Sequence, residues 1–380
     1  SICSTIWPCG TGKTLTHLAA TRAAGFRHVL AITKTAGRRN WIRDGARIGI
    51  SAEMITGRGV DEPAEVLAEL HEQHPILVVG YDVLEARAPG LSVLPWDAVI
   101  FDEQHKFKNL KARRTQAAIE FVRHVPVRWG GTAPPAPDRR RDLQAQIQLL
   151  MPDRFGRGKW GFLRRYCGAR RGAFGWHDHG PTKCCPVSRD LSLELLERLR
   201  YYWDIRSKAE LAPELPALTR VIRHVEGVDA EPGMGIEARL VAAAKYKADE
   251  AAECALEALL ERGKVLVVTG RRRDVEVLAG RIGRLAAKAG DLNRNLWLCA
   301  IPGSASLAER ERAVDEYMER AGPACFVTTY GWMDEALNLQ DTDLMVVCQL
   351  PWTPGQEEQL TGRVHRIGMT RPVTIVFIVA

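Results

Sequence analysis

Pro8-Cys9-Gly10-Thr11-Gly12-Lys13-Thr14 is the stretch that decides the fold of this chain. Two glycines flank a threonine, and Lys-Thr follows at once. Glycine lets backbone N–H groups turn toward one point, and a helix starting at the lysine adds the positive end of its dipole there. The pattern reads as a phosphate cradle lined by Gly10, Thr11 and Gly12. Lys13 would reach the β- and γ-phosphates of a nucleotide, and the Thr14 hydroxyl would meet Mg²⁺. The strict pattern has glycine six positions before the lysine, where this chain has Trp7. A glycine-rich turn without a ligand uses the same letters, so context decides. Ile2–Ile6 reads as a strand before the loop, and residues 13–24 read as a helix stopped by Gly25.

Outward from the loop, short apolar runs recur: Val29–Thr33, Ile76–Gly80, 99–101 and 125–129, each separated by a helical stretch. Such runs, apolar on both faces, predict an α/β fold with a parallel sheet covered on both sides. Pro134, Pro135 and Pro137 break the pattern. A helical stretch over 191–202 follows, then Pro213 and Pro216, which mark a linker. The alternation resumes after a long helix over 236–262, with strands at 265–269, 296–300, 324–328, 344–348 and Val373–Val379. Ser306-Leu307-Ala308-Glu309 is a capping box that opens a helix to about Arg320. The reading is therefore two parallel-sheet lobes, 1–137 and 227–380, with a basic, largely helical insertion and linker at 138–226.

Composition bounds the function classes. The chain has 380 residues, 46% apolar and 26% charged, so two or three ordinary globular domains are expected. Apolar runs stay under ten residues, too short for a transmembrane helix, and no secretory leader opens the stretch seen here. Nine scattered cysteines fit a reducing compartment better than a disulfide scaffold. Net charge is +7, with arginine far outnumbering lysine. That suits bidentate phosphate contacts, and a GC-rich genome would produce it equally. Within 139–171 stand Arg139, Arg140, Arg141, Arg154, Arg157, Lys159, Arg164, Arg165, Arg170 and Arg171, against Asp142 and Asp153. Interleaved with Trp160, Phe162, Tyr166 and Trp176, they read as a nucleic-acid backbone surface, or else as a solvated face with aromatics in the core. His177, His179, Cys184 and Cys185 cluster, but adjacent cysteines make poor zinc geometry and read as ordinary loop residues.

Two further segments carry chemistry. Asp102-Glu103-Gln104-His105 follows an apolar run, at the strand tip where α/β sheets bind ligand. Asp102 would hold Mg²⁺ through water, and Glu103 would orient and deprotonate an attacking water. His105 would couple nucleotide state to the neighbouring motif. Gln359-Leu360-Thr361-Gly362-Arg363-Val364-His365-Arg366 supplies two arginines three apart, which on a helix share one face. Arg363 and Arg366 would stabilise charge on a transferring phosphoryl group. Two arginines on a solvated helix are the bland alternative.

In this order the motifs resemble superfamily-two helicase-like ATPases of the SWI/SNF type, and within them the HARP-like annealing-helicase branch. Asn40-Trp41-Ile42-Arg43-Asp44 looks like the family's Asn-Trp-x-x-acid motif, and Gly80-Tyr81-Asp82 like its next strand-end motif. Lys108-Asn109 is similar to the trailing pair of its DExH box, and Thr132-Ala133-Pro134 stands where it has Gly-Thr-Pro. Gln146-Ile147, Phe162, Arg165-Tyr166-Cys167, Gly175-Trp176 and Leu215-Pro216 resemble the branch, while Gly303-Ser304 and residues 350–355 in the second lobe resemble the wider family. The chain departs from the pattern at Met369, where glutamine is usual, and at 332–339, which lacks the family's glycines. The family's upstream segment, with an adenine-reading glutamine, falls outside the stretch seen here.

The resemblance implies two RecA-like lobes that clamp ATP and Mg²⁺, with Gln359 and the arginines on the second lobe. It implies duplex or forked DNA as partner, and the expected contacts are Arg139, Arg140, Arg141, Lys159, Arg164 and Arg165 of the basic stretch, with Trp332. The expected activity is DNA-stimulated ATP hydrolysis driving translocation, with fork remodelling or annealing as its use. The alternative is an ATP-gated DNA-binding scaffold with little turnover. A monomer is expected, with protein partners or further flanking segments allowed, in a cytoplasm or, in a eukaryote, a nucleus.

Overall fold

Val29–Thr33, Ile76–Gly80 and Ala98–Asp102 are almost wholly apolar, and nearly every residue in them is buried. A strand can be buried on both faces only inside a sheet with helices above and below. The computed structural model describes residues 2–55, 64–133, 140–151, 155, 159–172, 175–177, 187, 189–226, 235–261, 263–333, 338–351 and 353–380. These form two compact units, 1–211 and 212–380.

The first unit runs β1 (Ile2–Ile6), α1 (Lys13–Ala23), β2 (Val29–Thr33), α2 (Arg38–Arg47), β3 (Ala52–Met54), α3 (Ala64–Gln73), β4 (Ile76–Gly80), α4 (Tyr81–Ser92), β5 (Ala98–Asp102), α5 (Arg113–Phe121) and β6 (Val127–Thr132). It continues with α6 (Asp142–Leu150), α7 (Lys159–Tyr166), β7 (Arg170–Gly172), β8 (Gly175–His177), α8 (Arg189–Leu199), β9 (Trp203–Ile205) and α9 (Lys208–Leu211). Among the described residues its sheet has seven parallel strands in the order β3-β4-β2-β5-β6-β1-β9. β7 and β8 form a separate antiparallel hairpin. Because the large sheet is parallel, the loops after β1, β2, β4, β5 and β6 all leave from one edge. That edge collects the candidate site.

The second unit runs β10 (Leu218–His224), α10 (Ile236–Leu260), β11 (Lys264–Thr269), α11 (Arg272–Ala287), α12 (Asp291–Asn295), β12 (Trp297–Ala300), α13 (Leu307–Glu319), β13 (Ala324–Thr329), α14 (Tyr330–Met333), β14 (Leu344–Val347), α15 (Pro354–Val364) and β15 (Val373–Val379). Its sheet is also parallel, in the order β10-β15-β14-β11-β13-β12. The capping box forms as written, with Ser306 accepting from Glu309 N.

The sequence reading set boundaries at 137/138 and 226/227, whereas the compact units meet between Leu211 and Ala212. The physical reason is packing. Leu143, Ile147, Phe162, Tyr166, Leu195, Leu199 and Trp203 join the same hydrophobic cluster as Leu30, Val79 and Phe101 of the first sheet. Burying a large apolar side chain contributes roughly 1.5–3 kcal/mol, so the helical insertion is fastened to the first unit. β10 is an edge strand of the second sheet, paired along its whole length with β15.

Candidate functional site: a phosphate loop beside two carboxylates

β1 ends at Ile6 and α1 begins at Lys13, so the loop between them has only six residues. Gly10 (φ 78°) and Gly12 (φ 79°) are both left-handed, a conformation that a side chain disfavours by roughly 1–2 kcal/mol. Consecutive turns of this kind point N–H groups into one concavity, at the N-terminus of α1. Thr11 Oγ1 donates to Pro8 O (2.7 Å) and braces the loop. Lys13 is buried, and its Nζ donates to Trp7 O (3.0 Å) and Pro8 O (3.1 Å), which holds the ammonium against the loop. Thr14 stands half-buried in the first turn of α1. Trp7, at the departure from the strict pattern, is buried and donates from Nε1 to Asp204 Oδ2 on β9 (2.9 Å).

Asp102 is the last residue of β5. Its Oδ2 accepts from Thr33 Oγ1 at the tip of β2 (2.8 Å) and from Trp41 Nε1 on α2 (3.3 Å). Tyr81, which opens α4, donates its hydroxyl to Asp102 O. Burial, and next the charge of Glu103, push the Asp102 carboxyl above its usual range. Glu103 is, among the described residues, the one non-glycine with a left-handed backbone (φ 51°). Strain of this kind persists where the surroundings over-determine a side chain's position. Burial opposes the Glu103 charge, but His105, Lys13 and Lys34 outweigh it and hold the carboxyl well below the usual range. The buried His105 bridges onward, with Nδ1 3.3 Å from Glu103 Oε2 and 2.8 Å from Thr132 Oγ1 at the end of β6.

The donor set suits a magnesium ion that arrives with a nucleotide. Mg²⁺ prefers oxygen, keeps several waters, and is held by one or two carboxylates plus substrate phosphates. Asp102 and the Thr14 hydroxyl are such donors, with Glu103 beside them. Among the described residues no three His, Cys, Asp or Glu side chains group as an all-protein metal cage.

Three residues of this site were not singled out for it by the sequence reading. Thr33 and Trp41 orient Asp102. His17, one turn beyond Lys13 on α1, is buried, with Nε2 3.2 Å from Thr5 Oγ1 and its ring stacked at 6.5 Å on Trp41. Burial, and then the charge of Lys13, lower its pKa to about 4. A spacing of four from Lys13 was the available signal.

The second unit departs from the expected arginine geometry. The sequence reading put Arg363 and Arg366 on one face of a helix. Arg363 is in the last turn of α15, but the helix ends at Val364 and His365 is extended (φ −101°, ψ 94°). Gly368 then takes φ 98°, so Arg366 stands in the turn that leads toward β15. His365 Nε2 lies 3.0 Å from Pro216 O, and Leu339 N donates to Arg363 O (3.1 Å); together they pin this exit. Gln359 is half-buried on α15.

Two arginines of the basic stretch join neighbouring helices. Arg140 donates to Tyr166 O (3.2 Å) and Ser192 Oγ (3.0 Å), which ties α7 to α8. Arg165 donates from Nε to Glu194 Oε1 (3.2 Å) across the same helices, and that bond raises its pKa. Arg141, Arg164, Arg170 and Arg171 are exposed. Arg139, the side chains of Lys159, His177 and Trp332, and His179, Cys184, Cys185 and 334–337 lie outside the described residues. Cys167 is buried in the first unit's core.

A phosphate loop at the end of one strand, an Asp-Glu pair two strands away, and a second parallel-sheet unit define a two-unit P-loop protein of the helicase-like class. The family profile described as SNF2-related domain matches residues 9–226, more than half of the chain, and that of the Helicase conserved C-terminal domain matches 250–368. The chain belongs to the SNF2-related family of helicase-like ATPases. It is 27% identical over 326 residues to the SWI/SNF-related matrix-associated actin-dependent regulator of chromatin subfamily A-like protein 1 of Xenopus tropicalis, covering 80% of this chain and 33% of that protein. It is 25% identical over 332 residues to the DNA annealing helicase and endonuclease ZRANB3 of Homo sapiens, covering 80% of this chain and 30% of that protein. The chain thus spans about a third of the length of these relatives. In fold it is similar to the Sulfolobus solfataricus SWI2/SNF2 ATPase core in complex with dsDNA (TM-score 0.50, 17% identity, 100% of this chain and 83% of that one). It is also similar to the DUF1998 helicase MrfA bound to DNA (TM-score 0.63, 14% identity, 100% of this chain and 44% of that one). Among the described residues no helix is long and apolar enough to cross a membrane.

Proposed function

We propose that the chain is a DNA-stimulated ATPase that moves on duplex or forked DNA. The observation that carries this is the shared sheet edge that brings the loop holding Lys13 and the Asp102-Glu103 pair together in a chain of the SNF2-related family. Gly10, Thr11, Gly12 and Lys13 bind the phosphates. Thr14 and Asp102 hold Mg²⁺, which when bound supplies charge neutralisation at the phosphoryl group. Glu103 orients water and takes its proton, and His105 relays the state of that carboxylate to Thr132. Arg363 and Arg366, with Gln359, act on the transferring phosphoryl group from α15 and the turn after it. The exposed arginines of 139–171, with Lys159 and Trp332, contact the DNA backbone. A DNA annealing helicase among the relatives and two fold neighbours bound to DNA support this partner.

The test is ATP hydrolysis by the purified chain, alone and with single-stranded, duplex and forked DNA, beside Lys13→Ala. Strong duplex or fork stimulation that the variant abolishes is expected. DNA binding without stimulated hydrolysis would refute the motor and favour a gated clamp.

A further inference from the structure

α2 is an arginine-rich helix. Its buried residues are Trp41 and Gly45. Gly45 sits so close to the following turn that a Cβ there would stand 2.9 Å from Ile50 O, which fixes the helix on that turn. Trp41 is 1% exposed, with one face stacked on His17 of the phosphate-loop helix. A buried indole N–H needs an acceptor, and here the acceptor is a carboxylate oxygen. Thr33 Oγ1 donates to that same oxygen, and Tyr81 holds the backbone carbonyl of the same residue. Among the described residues no donor reaches the other oxygen, Oδ1. A carboxylate held by one oxygen and by its backbone cannot rotate, so its second oxygen has a fixed direction.

We infer that Trp41 is a positioning residue of the nucleotide site: with Thr33 it clamps Oδ2 of Asp102 and so presents Oδ1 to the hydrated Mg²⁺ that accompanies a nucleoside triphosphate. This rests on reading Asp102 as the magnesium carboxylate. Outer partners of this kind typically change metal affinity by about 10–100-fold when removed. The stacking on His17 extends the clamp to α1, so one buried ring fixes the carboxylate relative to the helix that carries Lys13. An indole that only filled space would affect both metal-dependent and metal-free binding, or neither.

The test titrates a non-hydrolysable, mant-labelled ATP analogue into the full chain, in Mg²⁺ and in EDTA. Trp41→Phe keeps a ring and removes the donor, and Thr33→Val removes the second donor at constant shape. Each is expected to lose roughly tenfold or more of the tightening that Mg²⁺ gives, with affinity in EDTA unchanged. Thr33→Ser, which keeps the hydroxyl, is expected to bind as wild type does. Equal losses in Mg²⁺ and EDTA, or full retention of the Mg²⁺ effect, would overturn the inference. The threonine pair decides it if the tryptophan variant does not fold. A wild type that binds the analogue no better than Lys13→Ala would instead overturn the ATP site itself.

Discussion

Acid should unfold the first unit partly through one side chain, His17. The ring is 4% exposed, between α1 and the sheet, with Thr5 Oγ1 as its partner and the Lys13 ammonium nearby. In the folded chain its pKa is lowered to about 4 from the ordinary 6.5. The unfolded chain therefore takes up the proton first. The stability tied to neutral His17 is fully present above pH 6.5 and is lost as the pH falls from 6.5 to 4. At about 1.4 kcal/mol per pKa unit, that window holds about 3 kcal/mol, a large part of an ordinary domain's stability. The assay is urea unfolding of wild type and His17→Gln from pH 7.5 to 4, followed by tryptophan fluorescence. Other titrating groups, His71 among them, cancel in the difference between the two proteins. That difference should shift by about 3 kcal/mol in favour of the variant as the pH falls. Parallel stability curves would refute the reasoning, because they would mean that His17 takes a proton as easily folded as unfolded.

Glu103→Gln should keep nucleotide binding and cut turnover by about 100-fold or more; normal turnover would remove Glu103 from the chemistry. Replacing exposed Arg170 and Arg171 with alanine should flatten the salt dependence of DNA binding by about one phosphate contact each. Arg140→Ala should instead lower the melting temperature, because its guanidinium joins α7 to α8. Lys264→Met should destabilise the second unit by about 2 kcal/mol in denaturant titrations, the cost of leaving buried carbonyl acceptors without a donor. Its buried ammonium pairs with Asp341 Oδ2 (2.6 Å) and donates to Tyr317 O and Met318 O (2.9 Å each), while Arg371 remains to pair the half-exposed Asp341.

The phosphate loop and the Asp-Glu pair were legible because their signals are local: residue type, spacing and the strand just before. The parallel sheets were legible for the same reason, since a doubly covered strand is apolar at every position. What the sequence hid is long-range. Trp203–Ile205 is only three residues, too short for any periodicity, yet it completes the first sheet beside β1. A run of arginines reads as one patch, but only the packing of α7 on α8 gives Arg140 and the exposed Arg165 their partners on α8. Arg366 could have been separated from Arg363 by Gly368, a glycine two residues on that marks a left-handed turn and hence a helix end. Trp41 was read as part of a family motif, whereas its contact with Asp102, 61 positions away, depends on how β2 and β5 pair.

The two neighbouring carboxylates illustrate how one lysine can both bind and tune. Burial alone would raise both Asp102 and Glu103. Lys13 favours charge on both; they diverge because His105 and Lys34 add to it at Glu103, whereas Asp102 has Glu103's own charge against it. Like charges this close titrate as a pair, and the field here assigns the negative charge first to Glu103. Asp102 is then the position at which an added cation gains most. Part of what holds Glu103 low is the Lys13 charge, and an anionic phosphate against Lys13 would offset that charge. The Mg²⁺ that accompanies the phosphate would act on Glu103 in the opposite sense, so the proton affinity of the base in the loaded site is the balance of the two. Lys13 thus holds substrate and sets the proton affinity of the base at the same time. Lys13→Ala should therefore weaken binding and displace the pH profile of whatever turnover remains, and a variant that lost binding with an unmoved profile would separate the two roles.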